Sequence, residues 1–303
     1  MVDITLKKNT LREATAQAIV KVSKKETIQS IEQKKVPKGD VFEISRAAGL
    51  LGVKKTPEIL PDCHPIPIEY TGFEYEINGL EIKVSCTIKT IYKTGVEVEA
   101  MHGASIVALN LYDMLKPIDK GVEIYHIKLV AKKGGKSNVH KVKSDVNAAV
   151  IVCSDSISKG SKDDFAGKVI IDALKKWEVS SIDYEIIPDE IDAIQEQLKK
   201  QHKSKRNLII FTGGTGLSPR DQTPEALAPF LDKKIPGMEE AIRSFGQDRT
   251  PYAMLSRSVA GMYGDSLVLA LPGSTQGAIE SMHALFPAAL HLFDILKGTQ
   301  HKK

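Results

Sequence analysis

The residues best suited to chemistry begin in Asn207–Ala226, NLIIFTGGTGLSPRDQTPEA. Leu208, Ile209, Ile210 and Phe211 form an unbroken apolar run, which reads as a fully buried strand. The chain then turns into Thr212, Gly213, Gly214, Thr215 and Gly216. Glycines let a backbone aim several N–H groups into one concavity, which binds phosphate without a charged side chain. Arg220 and Asp221 follow, a cation and an anion at the carboxyl end of a strand, where open α/β sheets bind ligands. Thr223 reads as an N-cap and Pro224 as the first helical residue. A Gly-rich turn with no ligand is the plainer alternative, and the four features together favour a site.

A second set lies earlier. Thr94 to Ala100 alternates, with Val96 and Val98 on one face of a predicted strand and Glu97 and Glu99 on the other. That pair reads either as paired carboxylates or as a solvated face. Asp113 and Lys116 sit at i, i+3 near the end of a helix predicted over Ala104–Lys116, either as a local ion pair or as part of a site. Lys128 to Lys143 holds six lysines and no acid around Gly134-Gly135, which fits a solvated connector or a triphosphate clamp.

The elements that must position these groups fall into two halves. In the first, Thr10–Val22 has helical spacing, Val41–Leu51 reads as a helix beginning near Asp40, and Ile59–Pro65 is bracketed by prolines. Phe73–Ile77 and Leu80–Ile91 are extended, with Asn78-Gly79 as their hairpin turn. The second half alternates strands at Ala148–Cys153, Asp183–Ile187, Ile209–Thr212 and Leu267–Leu271 with helices over Phe165–Trp177 and from about Glu190, Thr223, Pro236 and Thr275. That alternation predicts a doubly wound, mostly parallel sheet with its loops gathered at one edge.

Length gives a prior of two domains, and 42% apolar with 26% charged residues describes a globular protein. The first 146 residues hold 23 Lys/Arg against 18 Asp/Glu. An excess that small, without interleaved aromatics, suits an anionic small molecule and excludes nucleic acid as a partner. Cys63, Cys86 and Cys153 are too scattered for a disulfide framework or a zinc cluster. No apolar run approaches membrane length and no signal-like core follows Met1, so no membrane role and a cytoplasmic location are expected.

KGDVFEISRAAG, DCHP, KTGVEVEAM, NLYDMLK and LVAKKGGKS, in this order, closely resemble the MoaC family of molybdenum cofactor biosynthesis across essentially residues 1–140. The resemblance implies an α+β, ferredoxin-like fold with its site at a subunit interface. The implied activity converts 3′,8-cyclo-7,8-dihydroguanosine 5′-triphosphate to cyclic pyranopterin monophosphate and pyrophosphate, with no permanently bound cofactor. By motif position it implies substrate contacts at Asp62, Cys63, His64, Val98 and Glu99. It likewise implies a reactive cluster of Lys38, Glu97, Asp113, Lys116 and Lys132, with Glu97 also against substrate. Asp62 departs from the leucine that usually precedes Cys-His in this family. Crowded lysines neutralise charge and can act as bases. Asp113 either holds Lys116 or takes a proton.

SDS, IIPDE, FTGGTGLSPRDQTPEAL, IPGMEEAIRS, AMLSRSVAG and LPGSTQGAIE resemble the MogA/MoaB family over about residues 147–298. The resemblance implies adenylylation of molybdopterin with Mg-ATP, or alternatively a non-catalytic molybdopterin-binding or scaffold module, since some MoaB-like proteins lack activity. Both aspartates of the active pattern are present, Asp189 and Asp221, as catalytic residues and Mg²⁺ ligands. Asp189 as a simple N-cap is the alternative. Gly213, Gly214, Thr215, Gly216, Ser218, Arg220, Pro272, Gly273 and Ser274 are the implied substrate contacts, with a structural role for Arg220 left open. The expectation is therefore a fused enzyme, with domains at 1–144 and 145–303 and pterin and nucleotide substrates. It is expected to be a dimer-based homo-oligomer, extending to a hexamer through the first domain or a trimer through the second.

Overall fold

The structure is a computed structural model that describes residues 1–135, 145–179 and 181–298. The chain forms two compact units, Met1–Asn138 and Val139–Lys303. The boundary expected at Ser144 lies outside the described residues, as do Lys136, Lys141 and Lys143 of the lysine run.

The first unit runs β1 (Thr10–Lys21), α1 (Lys25–Glu32), α2 (Val41–Lys54), α3 (Thr56–Ile59), β2 (Tyr70–Asn78), β3 (Glu81–Tyr92), α4 (Glu97–Leu115) and β4 (Glu123–Lys133). Its sheet has the order β2-β3-β1-β4 with every pair antiparallel, the ferredoxin-like arrangement. Asn78-Gly79 makes the hairpin turn, with Gly79 at φ +63°. Asp40 caps α2 by accepting the Glu43 amide at 3.2 Å.

Two expectations fail here. Thr10–Val22 is not a helix: Ala14, Ala16, Ala18, Val20 and Val22 point inward at spacing two, and β1 pairs with β3 from Thr10↔Tyr92 to Lys21↔Glu81. Alanines satisfy either period, so long-range pairing decided the element. Thr94–Ala100 is not a strand either. Val96 is the N-cap of α4, and Glu97 and Glu99 occupy a first turn where the helix dipole favours acids. Ala100, Ala104, Val107, Ala108, Leu111 and Leu115 bury the inner side of α4. The α2–α4 contact is close because its crossing residues are glycines. A Cβ on Gly103 would stand 2.6 Å from Val53 Cγ2 and 2.8 Å from Cys86 Sγ.

The second unit runs β5 (Asn147–Cys153), α5 (Asp155–Ser158), α6 (Ala166–Lys175), β6 (Ser181–Ile187), α7 (Ile191–Lys203), β7 (Leu208–Thr212), α8 (Thr223–Leu227), β8 (Lys233–Lys234), α9 (Pro236–Gln247), β9 (Val259–Tyr263), β10 (Ser266–Leu271), α10 (Thr275–Leu285) and α11 (His291–Leu296). The sheet order is β6-β5-β7-β10-β9-β8. The first four strands are mutually parallel, and β9 and β8 add an antiparallel edge. Helices cover both faces. Ile170 and Leu174 of α6 pack with Ile242 and Met282 on one side, and Ile194 and Leu198 of α7 pack with Ala226 on the other. From β5 the chain winds outward to β6, and from β7 outward to β10. The switch point, where such sheets open a crevice, therefore lies between the carboxyl ends of β5 and β7.

Candidate functional site

In the first unit the polar residues form two groups. Lys38, in the turn before α2, donates to Asp113 Oδ2 at 2.6 Å and to the Asp113 carbonyl at 2.8 Å. Lys116 meets Asp113 Oδ1 at 2.8 Å. The bonds from Lys116 and Lys38 hold the Asp113 carboxyl at about 2, so it stays ionised and anchors two ammonium groups. The second group stands at the other end of α4. Lys132, on β4, lies 3.4 Å from Glu97 Oε1. Cys63 Sγ is 3.6 Å from Glu99 Oε1. Glu99 is only 2% exposed, and burial raises both its carboxyl and the Cys63 thiol. His64 Nε2 lies 2.9 Å from the Val2 carbonyl, and Asp62 takes the N-terminal ammonium at 2.8 Å.

These groups do not meet within one chain. Glu97 and Asp113 are sixteen positions apart on one helix, which is about 24 Å at 1.5 Å per residue. The five-residue cluster expected from the motifs is thus split in a single protomer, with Lys38, Asp113 and Lys116 at one end and Glu97 and Lys132 at the other. Between them the outer side of α4 exposes Val98, Met101, Leu109 and Tyr112.

In the second unit a cavity of about 350 Å³ opens at the switch point, lined among others by Asp155, Asp189, Asp221, Gly213, Gly214 and Gly273. Gly213 has φ +105°, and a Cβ there would stand 2.2 Å from the Cys153 carbonyl oxygen, so only glycine fits. Its amide donates to the Leu271 carbonyl at 3.1 Å, extending the β7–β10 ladder, and is not free for phosphate. Among the described residues the amides of Gly214, Thr215 and Gly216 have no such protein acceptor. Asp221 Oδ2 accepts the Ser218 amide at 2.8 Å, which closes the loop on itself. Ser274 caps α10 through the Gly277 amide, and the Pro272 carbonyl accepts from Thr212 Oγ1 at 2.9 Å.

Asp189 follows β6, and burial, followed by the charges of Asp221 and Asp155, raises its carboxyl to about 6. It is not the N-cap of α7, a position that Glu190 holds. Its Oδ1 is buried without a partner. Thr223 is likewise not the expected N-cap: Gln222 holds that position and Thr223 is the first residue of α8.

Three residues that sequence reasoning did not assign to a site belong to this one. Asp155 pairs with Arg220 across the crevice, joining the loop after β5 to the loop after β7. Asp164 accepts the Gly167 amide at 2.8 Å and the Tyr184 hydroxyl at 2.7 Å on the cavity wall. Arg257 braces the glycine loop by donating to the Gly216 carbonyl at 2.8 Å and the Asp221 carbonyl at 2.7 Å, and it pairs with Glu225. Asp155 carried a signal, because Ser154-Asp155-Ser156 ends a strand at the loop edge. Arg257 stood within the AMLSRSVAG motif, but nothing local ties it to the glycine loop, because its contacts lie 32 to 41 residues away.

The profile of the MoaC family matches residues 1–135, and that of the probable molybdopterin binding domain matches residues 149–291. The chain is 37% identical over 301 residues to the molybdenum cofactor biosynthesis bifunctional protein of Chlorobaculum tepidum, covering 99% of this chain and 96% of that protein. The protein of the same name from Synechococcus elongatus is 35% identical, with 99% and 98% covered. The cyclic pyranopterin monophosphate synthase of Geotalea uraniireducens is 44% identical over 143 residues, covering 46% of this chain and 89% of that protein. With likeness running through both units and almost the full length of two such relatives, the chain belongs to the family of molybdenum cofactor biosynthesis bifunctional proteins, a MoaC-family unit followed by a molybdopterin-binding-domain unit.

Proposed function

We propose that the chain catalyses two separate steps of molybdenum cofactor biosynthesis, one in each unit. The first unit converts 3′,8-cyclo-7,8-dihydroguanosine 5′-triphosphate to cyclic pyranopterin monophosphate. Closing the cyclic phosphodiester while pyrophosphate leaves needs several cations near the phosphates and groups that move protons. Lys38 and Lys116, fixed by Asp113, supply one half of that set, and Lys132, Glu97, Glu99, Cys63 and His64 supply the other. The observation that carries this reading is the split along α4. Two copies packed antiparallel through the apolar outer side of α4 bring the Asp113 end of one beside the Glu97 end of the other. Each such dimer then holds two complete sites. A cytoplasmic setting suits them, since Cys63 is a free thiol there.

The second unit transfers AMP from ATP to molybdopterin. The terminal phosphate oxygen of the pterin attacks the α-phosphorus of ATP, and the bond to the bridging oxygen of the β-phosphate breaks, releasing pyrophosphate. The free amides of Gly214, Thr215 and Gly216 hold phosphate oxygens, and the Gly213 amide keeps the loop on the sheet. Arg220 neutralises charge at the mouth once it leaves Asp155. Asp189 and Asp221 would hold the Mg²⁺ that accompanies ATP, and its charge would offset the repulsion between the reacting phosphates. The residues fit that ion: Asp189 and Asp221 line one cavity, and the protein leaves the buried Asp189 carboxyl incompletely paired. This reading rests on two carboxylates and a glycine loop that share one cavity at the switch point. Asp221→Asn tests it: AMP transfer at saturating Mg-ATP should fall about 10²–10³-fold with pterin affinity retained. Parent-like transfer by the variant would return the second unit to a binding or scaffold role.

A further inference from the structure

Beneath the glycine loop of the second unit two buried oxygens lack hydrogen-bond partners, one on the cavity-lining Asp189 and one on Thr223. Thr223 is 0% exposed and its Oγ1 has no hydrogen-bond partner. Asp189 is 9% exposed and its Oδ1 has none either. Buried polar atoms are nearly always hydrogen-bonded, so two unpaired ones under the same loop call for a reason.

Both crowd the same point beneath the glycine loop. A Cβ on Gly214 would stand 2.4 Å from Thr223 Oγ1, 2.4 Å from Asp189 Oδ1 and 2.6 Å from Asp189 Oδ2. Gly214, at φ +60°, is therefore the residue that lets the carboxylate and the hydroxyl close in on the loop together. The main chain keeps them there, since the Thr223 amide donates to the Gly214 carbonyl at 3.1 Å. As the first residue of α8 the hydroxyl caps nothing, and its competing neighbour is the Cys153 sulfur, a weak acceptor beside which a carboxylate oxygen is the stronger partner.

We propose that Thr223 is a positioning residue for Asp189: its hydroxyl donates to Asp189 Oδ1 when the nucleotide and its cation bind, and so turns Asp189 Oδ2 to the cavity. The inference rests on the adenylyl-transfer reading of this unit. A hydroxyl is suited to the task because it rotates about its C–O bond, satisfies both orphaned atoms at once and adds no charge beside Asp155 and Asp221. A side chain that orients a ligating group from behind typically changes metal affinity or rate by 10–100-fold.

The test uses the full chain as parent, Thr223→Val, Thr223→Ser and Thr223→Ala. Mn²⁺ affinity is measured by electron paramagnetic resonance with α,β-methylene-ATP, which cannot transfer AMP, and kcat and KM are measured for AMP transfer from ATP. Thr223→Val keeps the branched shape and loses the hydroxyl. It should lose about 10–100-fold in Mn²⁺ affinity and in kcat, with pterin affinity and thermal unfolding at parent values. Thr223→Ser should recover both to within about threefold. If Thr223→Val does not fold, Thr223→Ala carries the same expectation. Parent-like Mn²⁺ affinity in either folded hydroxyl-free variant, or no recovery in Thr223→Ser, overturns the proposal. A parent that binds Mn²⁺ with the analogue but transfers no AMP refutes the catalytic reading, and the Mn²⁺ arm still decides Thr223. A parent that binds no Mn²⁺ overturns both.

Discussion

Two inactive variants of the first unit should restore activity to each other when mixed. Asp113→Asn removes the anchor of Lys38 and Lys116, and Lys132→Ala removes the cation at the opposite end of α4. Each alone should be inactive in releasing pyrophosphate from the cyclised triphosphate. Because the two ends are about 24 Å apart along one helix, a complete site draws one end from each copy. A mixed dimer then holds one site carrying both defects and one site carrying neither. Random re-pairing makes about half the dimers mixed, and each has one intact site of two, so activity should return to about a quarter of the parent value. Mixed dimers isolated through two different affinity tags should show about half. The control is Asp113→Asn with Lys38→Ala. These residues touch at 2.6 Å, so no mixed dimer has an intact site and no activity should return. Failure of the first pair to recover in verified mixed dimers, or recovery by the control pair, would refute the shared site.

Three further outcomes follow from particular contacts. Asp119 is 2% exposed and accepts from Ser23 N, Ser23 Oγ, Thr27 Oγ1 and Gly121 N, which tie the β1–α1 turn to the α4–β4 turn. Burial opposes its ionisation, yet these donors hold its carboxyl at about 2. A folded value below the unfolded one adds about 1–2 kcal/mol above pH 4, lost as pH falls towards 2. Urea-dependent hydrogen exchange on first-unit peptides should show Asp119→Asn weaker by that amount at pH 7, with the gap narrowing towards pH 2. Asp189, raised to about 6, must be ionised to hold a cation, so the apparent Mn²⁺ affinity of the metal-free protein should rise with pH through about 6 and fall below it. A pH-independent Mn²⁺ affinity between 5 and 8 would contradict that role. Gly213→Ala should abolish AMP transfer and lower the melting temperature of the second unit, because its Cβ meets the Cys153 carbonyl and its φ disfavours side chains. Parent-like melting would show that the loop does not need that close approach.

Much of this was legible where local physics decides. Continuous apolar runs marked β5, β7 and β10, Asn78-Gly79 marked the first hairpin, and Asp40 marked the start of α2. The MoaC-like and MogA/MoaB-like motifs pointed to both units and to the pathway. What sequence did not yield depended on contacts made far along the chain. The alanines of β1 fit a helix until twelve residues of pairing with β3 select the strand. The alternation Val96-Glu97-Val98-Glu99 fits a strand until burial of Ala100, Ala104 and Leu111 draws the segment into α4. That single error hid the division of the first site, because only a continuous helix carries Glu97 away from Asp113. Thr223 looked like a cap beside Pro224, and only the fold brings its Oγ1 to the point under Gly214 that the Asp189 carboxylate also crowds.

The central claim is that one chain carries two independent reactions, each releasing pyrophosphate. The most direct measurement is pyrophosphate release by the full chain from 3′,8-cyclo-7,8-dihydroguanosine 5′-triphosphate, and separately from Mg-ATP with molybdopterin, for the parent, Asp113→Asn and Asp221→Asn. The parent should release it in both reactions, Asp113→Asn only in the second, and Asp221→Asn only in the first. Release in just one reaction by the parent, or loss of both through either substitution, would contradict the account.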